Sequence, residues 1–80
     1  MTEAEIRAAL TEIFRDVLVC DELVLTPTLC AKDVVGWDSF KQIEIIIATE
    51  ERFGIKFHTR ELDRLHNAGD LVAVVRGKTA

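Results

Sequence analysis

Apolar residues near the start of the chain recur at three- and four-residue steps, which predicts an amphipathic helix I over residues 3–18. The apolar stripe consists of Ile6, Ala9, Leu10, Ile13, Phe14, Val17 and Leu18. Thr2 precedes the stripe, and Glu5 stands three positions after Thr2, which is the spacing of a capping box. We therefore expect helix I to begin at this cap and to bury its stripe.

The helical period lapses over residues 19–38, which predicts a long loop. Pro27 lies between two threonines, and the aliphatic residues of this segment share no helical face. Because the loop is long and rich in apolar side chains, we expect it to be functional and to pack onto the helices. Gly36 is expected to close the loop by freeing the backbone to turn into the next helix.

Asp38 and Ser39 are both favoured at a helix N-cap, and the pattern after them predicts helix II over residues 39–53. Gly54 follows the last apolar position and is expected to end the helix. Gln42 stands three residues after Ser39, again at capping-box spacing.

A helical projection of helix II separates a charge-free side from a wide charged arc. The charge-free side is expected to face the core and holds Gln42, Ile45, Ile46, Thr49 and Phe53. We expect the Thr49 hydroxyl to be buried and bonded to the helix backbone. Phe40, Ile43 and Ile47 lie among the carboxylates on the other side, and we call these three residues the outer stripe. Because the core does not require this stripe, it suggests a docking surface.

Two shorter helices are predicted in the rest of the chain. Thr59 can cap a brief helix III over residues 60–65. Asn67 can cap helix IV over residues 68–76, and Gly77 is expected to end it.

The order of these elements predicts an all-α fold in which residues 1–80 form a single domain. Eighty residues suffice for a small helical core but not for an enclosed catalytic cavity. Apolar runs such as residues 45–48 are far too short to span a membrane, and the first residues show no secretory pattern, so we expect a cytoplasmic protein. A net charge of −4 with scattered basic residues argues against nucleic-acid binding.

Metal and hydrolase chemistry are not indicated. Cys20, Cys30, His58 and His66 lack the paired spacing of metal ligands, so we expect structural, surface or capping roles for them. Ser39 is not in a Gly-x-Ser-x-Gly elbow, and a bundle of this size leaves little room for an oxyanion hole. We predict no catalytic residue.

The Ser39 hydroxyl is nevertheless well placed for modification. It stands at a helix start, beside Asp38 and between Trp37 and Phe40, at the end of the long loop. A phosphate ester there would meet unpaired backbone N–H groups and the positive end of the helix dipole. A plain N-cap serine would have the same local sequence, so the residues alone leave both interpretations open.

In its helix order and in several segments the whole chain resembles the acyl and peptidyl carrier proteins. Their attachment serine lies in an Asp-Ser-Leu or similar motif at the start of helix II, and here the motif is Asp38-Ser39-Phe40. The resemblance covers nearly the full length. The other matching segments are Gly36-Trp37, Glu-Arg-Phe-Gly-Ile at residues 51–55, and Asn-Ala-Gly-Asp-Leu at residues 67–71.

The resemblance implies a four-helix bundle with a long loop between helices I and II and a short third helix. It implies that Ser39, with Asp38 as its motif neighbour, is esterified by 4′-phosphopantetheine from coenzyme A through a phosphopantetheinyl transferase. The domain would catalyse nothing, and the thiol of the arm would hold an acyl group. The other implied partners are an acyl-loading ligase and acyltransferase or synthase enzymes, and a monomer is the natural form. Partner contacts are implied at Phe40, Ile43, Glu44 and Ile47.

Some residues depart from the family pattern. Phe40 replaces the usual leucine, and Lys41, Gln42 and Arg52 interrupt the acidic row that is typical of carriers in fatty-acid synthesis. We therefore expect a specialised carrier with dedicated partners in fatty-acid, polyketide or lipid synthesis. An aminoacyl or peptidyl carrier and a small helical interaction module without a prosthetic group remain alternatives. The sequence also leaves open the acyl cargo and whether the bundle sequesters it.

Overall fold

The computed structural model describes residues 2–79, and within this range all regular structure is helical. Within residues 2–79, four α-helices follow one another, and a 3₁₀ turn interrupts the long loop. The helices are α1 (Glu3–Leu18), α2 (Ser39–Phe53), α3 (Thr59–Leu62) and α4 (Ala68–Thr79), and the turn is Ala31–Asp33. α1 packs against both α2 and α4. The predicted all-α fold is confirmed.

α1 has the predicted start and length. The Glu5 N–H donates to the Thr2 hydroxyl at 3.2 Å, and the Thr2 N–H donates to the Glu5 carboxylate at 3.4 Å, which completes the capping box. The helix ends at Val19, which adopts a left-handed conformation with φ of 51° and donates its N–H to the carbonyl of Arg15. Both ends of α1 therefore have partners for backbone groups that the helix itself leaves free.

The long loop is anchored by apolar side chains and by backbone hydrogen bonds to α4. Leu23 is buried, and three further aliphatic side chains of the loop pack against the core: Leu25, Leu29 and Val34. The N–H groups of Ala68 and Gly69 donate to the carbonyls of Leu29 and Pro27 at 2.7 and 2.9 Å. Thus the loop caps the start of α4.

The expectation that the loop's aliphatic residues pack onto the helices is wrong for three of them. Val19 is 85% exposed, Val24 is 67% exposed and Val35 is fully exposed. Gly36 follows Val35 with φ of 91°, a left-handed value that glycine adopts without strain, as expected for the turn into α2.

α3 begins earlier and ends sooner than the range 60–65 predicted for it. Thr59, the predicted cap, is its first helical residue, and His58 occupies the N-cap position. The backbone N–H of His58 donates to the Glu61 carboxylate at 2.8 Å, which stabilises this start. After Leu62 the chain continues in a turn, with the Leu65 N–H bonded to the Leu62 carbonyl.

α4 starts as predicted, because the Asp70 N–H donates to the Asn67 side chain at 2.9 Å. The prediction that Gly77 ends it is wrong, since the helix continues to Thr79. Lys78 forms an ion pair with Glu61 of α3 at 2.8 Å and lies 5.9 Å from the centre of the Phe57 ring. These contacts hold the last turn of α4 in place and offset the unfavourable helix propensity of glycine, about 1 kcal/mol.

The core lies where α1, α2 and α4 meet. Six side chains are almost completely excluded from solvent: Ile6, Leu10, Phe14, Ile45, Thr49 and Val75. The Thr49 hydroxyl donates to the Ile45 carbonyl at 2.7 Å, so the predicted bond to the helix backbone is present. None of the helices within residues 2–79 has the length and apolar character needed to cross a membrane.

Candidate functional site at the start of helix α2

Asp38 and Ser39 have different roles at the start of α2: Asp38 caps the helix, and Ser39 presents a hydroxyl group. The Asp38 carboxylate accepts the Lys41 N–H at 2.9 Å and is the N-cap. Ser39 is the first residue of the helix, is exposed, and is the only serine in the chain. Because Asp38 already caps the helix, the Ser39 hydroxyl is free for other chemistry.

The capping box expected between Ser39 and Gln42 is not formed. The Gln42 side-chain oxygen instead accepts the indole N–H of Trp37 at 2.8 Å. This bond links the end of the loop to the side of α2 that faces the core.

The first turn of α2 presents unpaired donors beside Ser39. Neither the Ser39 N–H nor the Phe40 N–H has an acceptor within residues 2–79. The first turn contains no acidic residue, and the positive end of the helix dipole lies here. An anionic ester on Ser39 would therefore meet two donors and a favourable field.

Ser39 also lies at the rim of an open cleft of about 510 Å³ between the start of α2, α3 and the start of α4. Apolar side chains form much of its lining: Phe14, Trp37, Ile43, Leu62, Leu65 and Leu71. His66 and Asn67 add polar groups to the lining. A volume of this size is typical of small-molecule sites, which measure about 300–1,000 Å³.

The outer stripe is exposed, as predicted. Phe40, Ile43 and Ile47 have 78%, 56% and 49% of their surface accessible. Beside them Glu44 forms an ion pair with Lys41 at 3.4 Å, which reduces the negative field of this face. Ile43 also lines the cleft, so the stripe and the cleft meet at this residue.

The residues considered as metal ligands are not brought together. Cys20 and Cys30 are free thiols, and residues 2–79 contain no group of three or more His, Cys, Asp or Glu side chains arranged to hold a metal ion. His66 lines the cleft, and His58 is the N-cap of α3. The sequence pattern did not identify Leu62, Leu65 and His66 as neighbours of Ser39, because only the tertiary fold brings α3 to the start of α2.

Residues 8–75 match the family described as "Phosphopantetheine attachment site". The chain belongs to this family of phosphopantetheine-dependent acyl carrier proteins. As the resemblance implied, a member of this family is a carrier and not an enzyme, and its cofactor is covalently attached 4′-phosphopantetheine. A carrier of this kind works with transferases and with synthase or acyltransferase enzymes.

Individual relatives agree with this assignment. The meromycolate extension acyl carrier proteins of Mycolicibacterium smegmatis and Mycobacterium tuberculosis are 33% and 32% identical to it, over 94% and 95% of this chain. The chain spans 76% of the first relative and 66% of the second. The solution structure of holo acyl carrier protein from Geobacter metallireducens is 41% identical, with a TM-score of 0.87, and the match covers 91% of this chain and 84% of that one.

Proposed function

We propose that Ser39 is the attachment residue of the 4′-phosphopantetheine arm and that the arm carries acyl groups as thioesters. The observation that carries this proposal is the position of Ser39, the only serine, as an exposed first residue of α2 whose neighbour Asp38 already caps the helix. Members of the family use a serine at this point of the fold, and no other serine is available here.

The start of α2 fits a phosphate ester. The free N–H groups of Ser39 and Phe40 would donate to its oxygens, and the helix dipole would favour its negative charge. Asp38 keeps the first turn of α2 in place by accepting the Lys41 N–H. When bound, the group supplies a thiol at the end of a flexible arm, and this thiol holds the acyl group.

The cleft beside Ser39 is the proposed resting place of the acyl chain. Its apolar wall includes Ile43, Leu62 and Leu65, and its opening lies at the attachment residue. Burying methylene groups against such a wall is favourable by up to about 0.8 kcal/mol for each group.

The outer stripe is the proposed contact surface for partner enzymes. Phe40, Ile43 and Ile47, together with Glu44, occupy the exposed side of α2 immediately after Ser39. Each partner enzyme would bind this side of α2: the phosphopantetheinyl transferase, the acyl-loading ligase and the acyltransferase or synthase enzymes. An exposed apolar stripe next to the attachment residue lets a partner bind the carrier while the arm reaches its active site.

The pathway is proposed from the relatives and from the charge of α2. Relatives named for meromycolate extension favour a specialised lipid pathway over general fatty-acid synthesis. The Lys41–Glu44 ion pair and Arg52 dilute the acidic surface, which favours dedicated partners over generic ones with basic patches. We further propose that the carrier acts as a cytoplasmic monomer.

Intact-mass measurement after incubation with coenzyme A and a broad-specificity phosphopantetheinyl transferase tests the attachment residue. The parent protein is expected to gain one adduct, and Ser39→Ala is expected to gain none. Thr59→Ala is the matched control, because Thr59 is an exposed hydroxyl residue at the start of another helix. A folded parent that gains no adduct would favour the helical interaction module.

A further inference from the structure

Trp37 lines the cleft and is fixed there by contacts on three sides. Its indole N–H donates to Gln42 of α2 at 2.8 Å, and its backbone N–H donates to the Val34 carbonyl at 3.3 Å. Its ring packs edge-to-face against Phe14 of α1, with centroids 5.3 Å apart and an interplanar angle of 78°. Aromatic pairs in this arrangement add about 0.5–1.5 kcal/mol beyond their burial. Trp37 therefore joins α1 to α2 at the wall of the cleft.

The Phe14–Trp37 pair forms part of the wall between the cleft and the core. Phe14 lines the cleft but is only 1% exposed, and it belongs to the same buried cluster as Leu10 and Ile45, which have no accessible surface. An acyl chain that enters from Ser39 would meet these two rings before it could pass between α1 and α2. The hydrogen bond to Gln42 opposes rotation of the indole out of this position.

We infer that Trp37 is a specificity-determining residue that sets the longest acyl chain this carrier can shelter. This inference rests on attachment of the arm to Ser39. Chains short enough for the cleft lie between α2 and α3, and the additional carbons of longer chains stay in solvent. The cargo class that fits best is a short or medium-length acyl group.

The physical basis is the free energy of each buried methylene group. A chain tethered at Ser39 stabilises the folded state for as long as each added methylene leaves water. Once the chain reaches Trp37 and Phe14, further methylenes find no space, because close-packed side chains do not yield room for them. Truncating Trp37 would leave an apolar cavity, and such cavities accept apolar groups.

The test loads the carrier with straight-chain acyl-pantetheine arms, from acetyl to palmitoyl, by supplying the acyl-coenzyme A compounds to the transferase. The melting temperature of each loaded form is then measured. For the parent we expect Tm to rise with chain length and then to stop rising. We call the chain length at which Tm stops rising the limiting chain length. For Trp37→Ala we expect a longer limiting chain length than for the parent. For Trp37→Phe, which keeps a ring against Phe14, we expect a limiting chain length close to that of the parent.

Controls separate this role from a general loss of stability. Val35→Ala changes a fully exposed residue of the same loop and should leave the limiting chain length unchanged. If Trp37→Ala does not fold, Trp37→Leu takes its place, because leucine is an apolar side chain of smaller volume than tryptophan. This variant should also increase the limiting chain length. Methyl resonances of Leu10 should shift on palmitoyl loading in the variant but not in the parent.

Two results would overturn the inference. One is the same limiting chain length in the parent and in the folded alanine or leucine variant. The other is a Tm of the parent that continues to rise up to the palmitoyl-loaded form. Failure of the Ser39 attachment would be visible earlier, as absence of any adduct in the mass spectrum. The two proposals therefore fail in distinguishable ways.

Discussion

The backbone N–H of Gly69 donates to the carbonyl of Pro27 at 2.9 Å, so a loop residue caps the first turn of α4. A Cβ atom added to Gly69 would lie 2.6 Å from the same carbonyl oxygen, closer than real contacts allow. The residue at this position must therefore lack a Cβ atom for the loop to reach the helix.

Gly69→Ala is expected to lower the free energy of unfolding by about 1–2 kcal/mol. Alanine favours the helix by about 1 kcal/mol, but the displaced loop would lose two backbone hydrogen bonds, each contributing about 1 kcal/mol, and some of its packing. Urea unfolding measures the change. Gly77→Ala is the matched control in the same helix, where a Cβ would have no neighbour within 4 Å among residues 2–79, and it should raise stability by about 0.5–1 kcal/mol. A stabilising Gly69→Ala would contradict the close contact.

Thr49 gives a second stability prediction. Its hydroxyl is completely buried and bonds only to the Ile45 carbonyl, which the helix already satisfies. Thr49→Val is expected to leave the free energy of unfolding unchanged or to raise it by up to about 1 kcal/mol. Thr49→Ser removes a buried methyl group and should cost about 1 kcal/mol. If valine proves more harmful than serine in thermal unfolding, the hydroxyl has a role beyond this bond.

The ion pair between α3 and α4 predicts a pH dependence. The hydrogen bond from the His58 backbone N–H, and then Lys78, hold the pKa of Glu61 below its usual range. Because the carboxyl pKa is lower in the folded chain than in the unfolded chain, ionised Glu61 stabilises the fold above the usual carboxyl pKa of about 4.3. This contribution is lost as the pH falls through the lowered pKa.

Glu61→Gln keeps an acceptor for the His58 N–H but removes the charge. We expect the variant to be less stable than the parent near neutral pH, and the two to converge as the solution is acidified. Urea unfolding across a pH series measures this difference, with exposed Glu51→Gln as the control. A difference that does not change with pH would argue against the ion pair as its source.

The outer stripe gives a prediction for partner binding. Phe40 is 78% exposed, so Phe40→Ala should change the free energy of unfolding by no more than about 0.5 kcal/mol. If this side chain contacts the phosphopantetheinyl transferase, its loss should raise the KM for the carrier about tenfold, as expected for an aromatic interface residue. Initial loading rates measure KM. Val24→Ala, at an exposed loop residue, should not change it.

Local signals explain why the sequence predicted α1 and α2 well. The Thr2–Glu5 capping box, the apolar period of α1 and the Gly54 C-cap all act within a few residues. The bounds of α3 and the end of α4 were less predictable, because Lys78 and Glu61 meet only in the folded chain and hold the helix past Gly77.

The candidate site was predictable only in part. The position of Ser39 at a helix start follows from neighbouring residues, and so does the exposed side of α2. The cleft does not, because it depends on how α3 lies against α2 and on the contact between Trp37 and Phe14. The hydrogen bond of Gln42 was not predictable from local sequence either. Its side chain bonds to the Trp37 indole instead of forming the expected capping box with Ser39.

The place of Trp37 beside Ser39 also gives the protein an optical property. The chain has one tryptophan and no tyrosine, so its indole fluorescence comes entirely from a residue that lines the cleft. The emission of an indole depends on how much water reaches it, and here the ring is half-buried and its N–H is bonded to Gln42. An arm or acyl chain that binds in the cleft would exclude water from this ring and change its emission. An arm or chain that stays in solvent would leave the emission unchanged. The carrier therefore contains an intrinsic fluorophore that reports on its own loading, without any label.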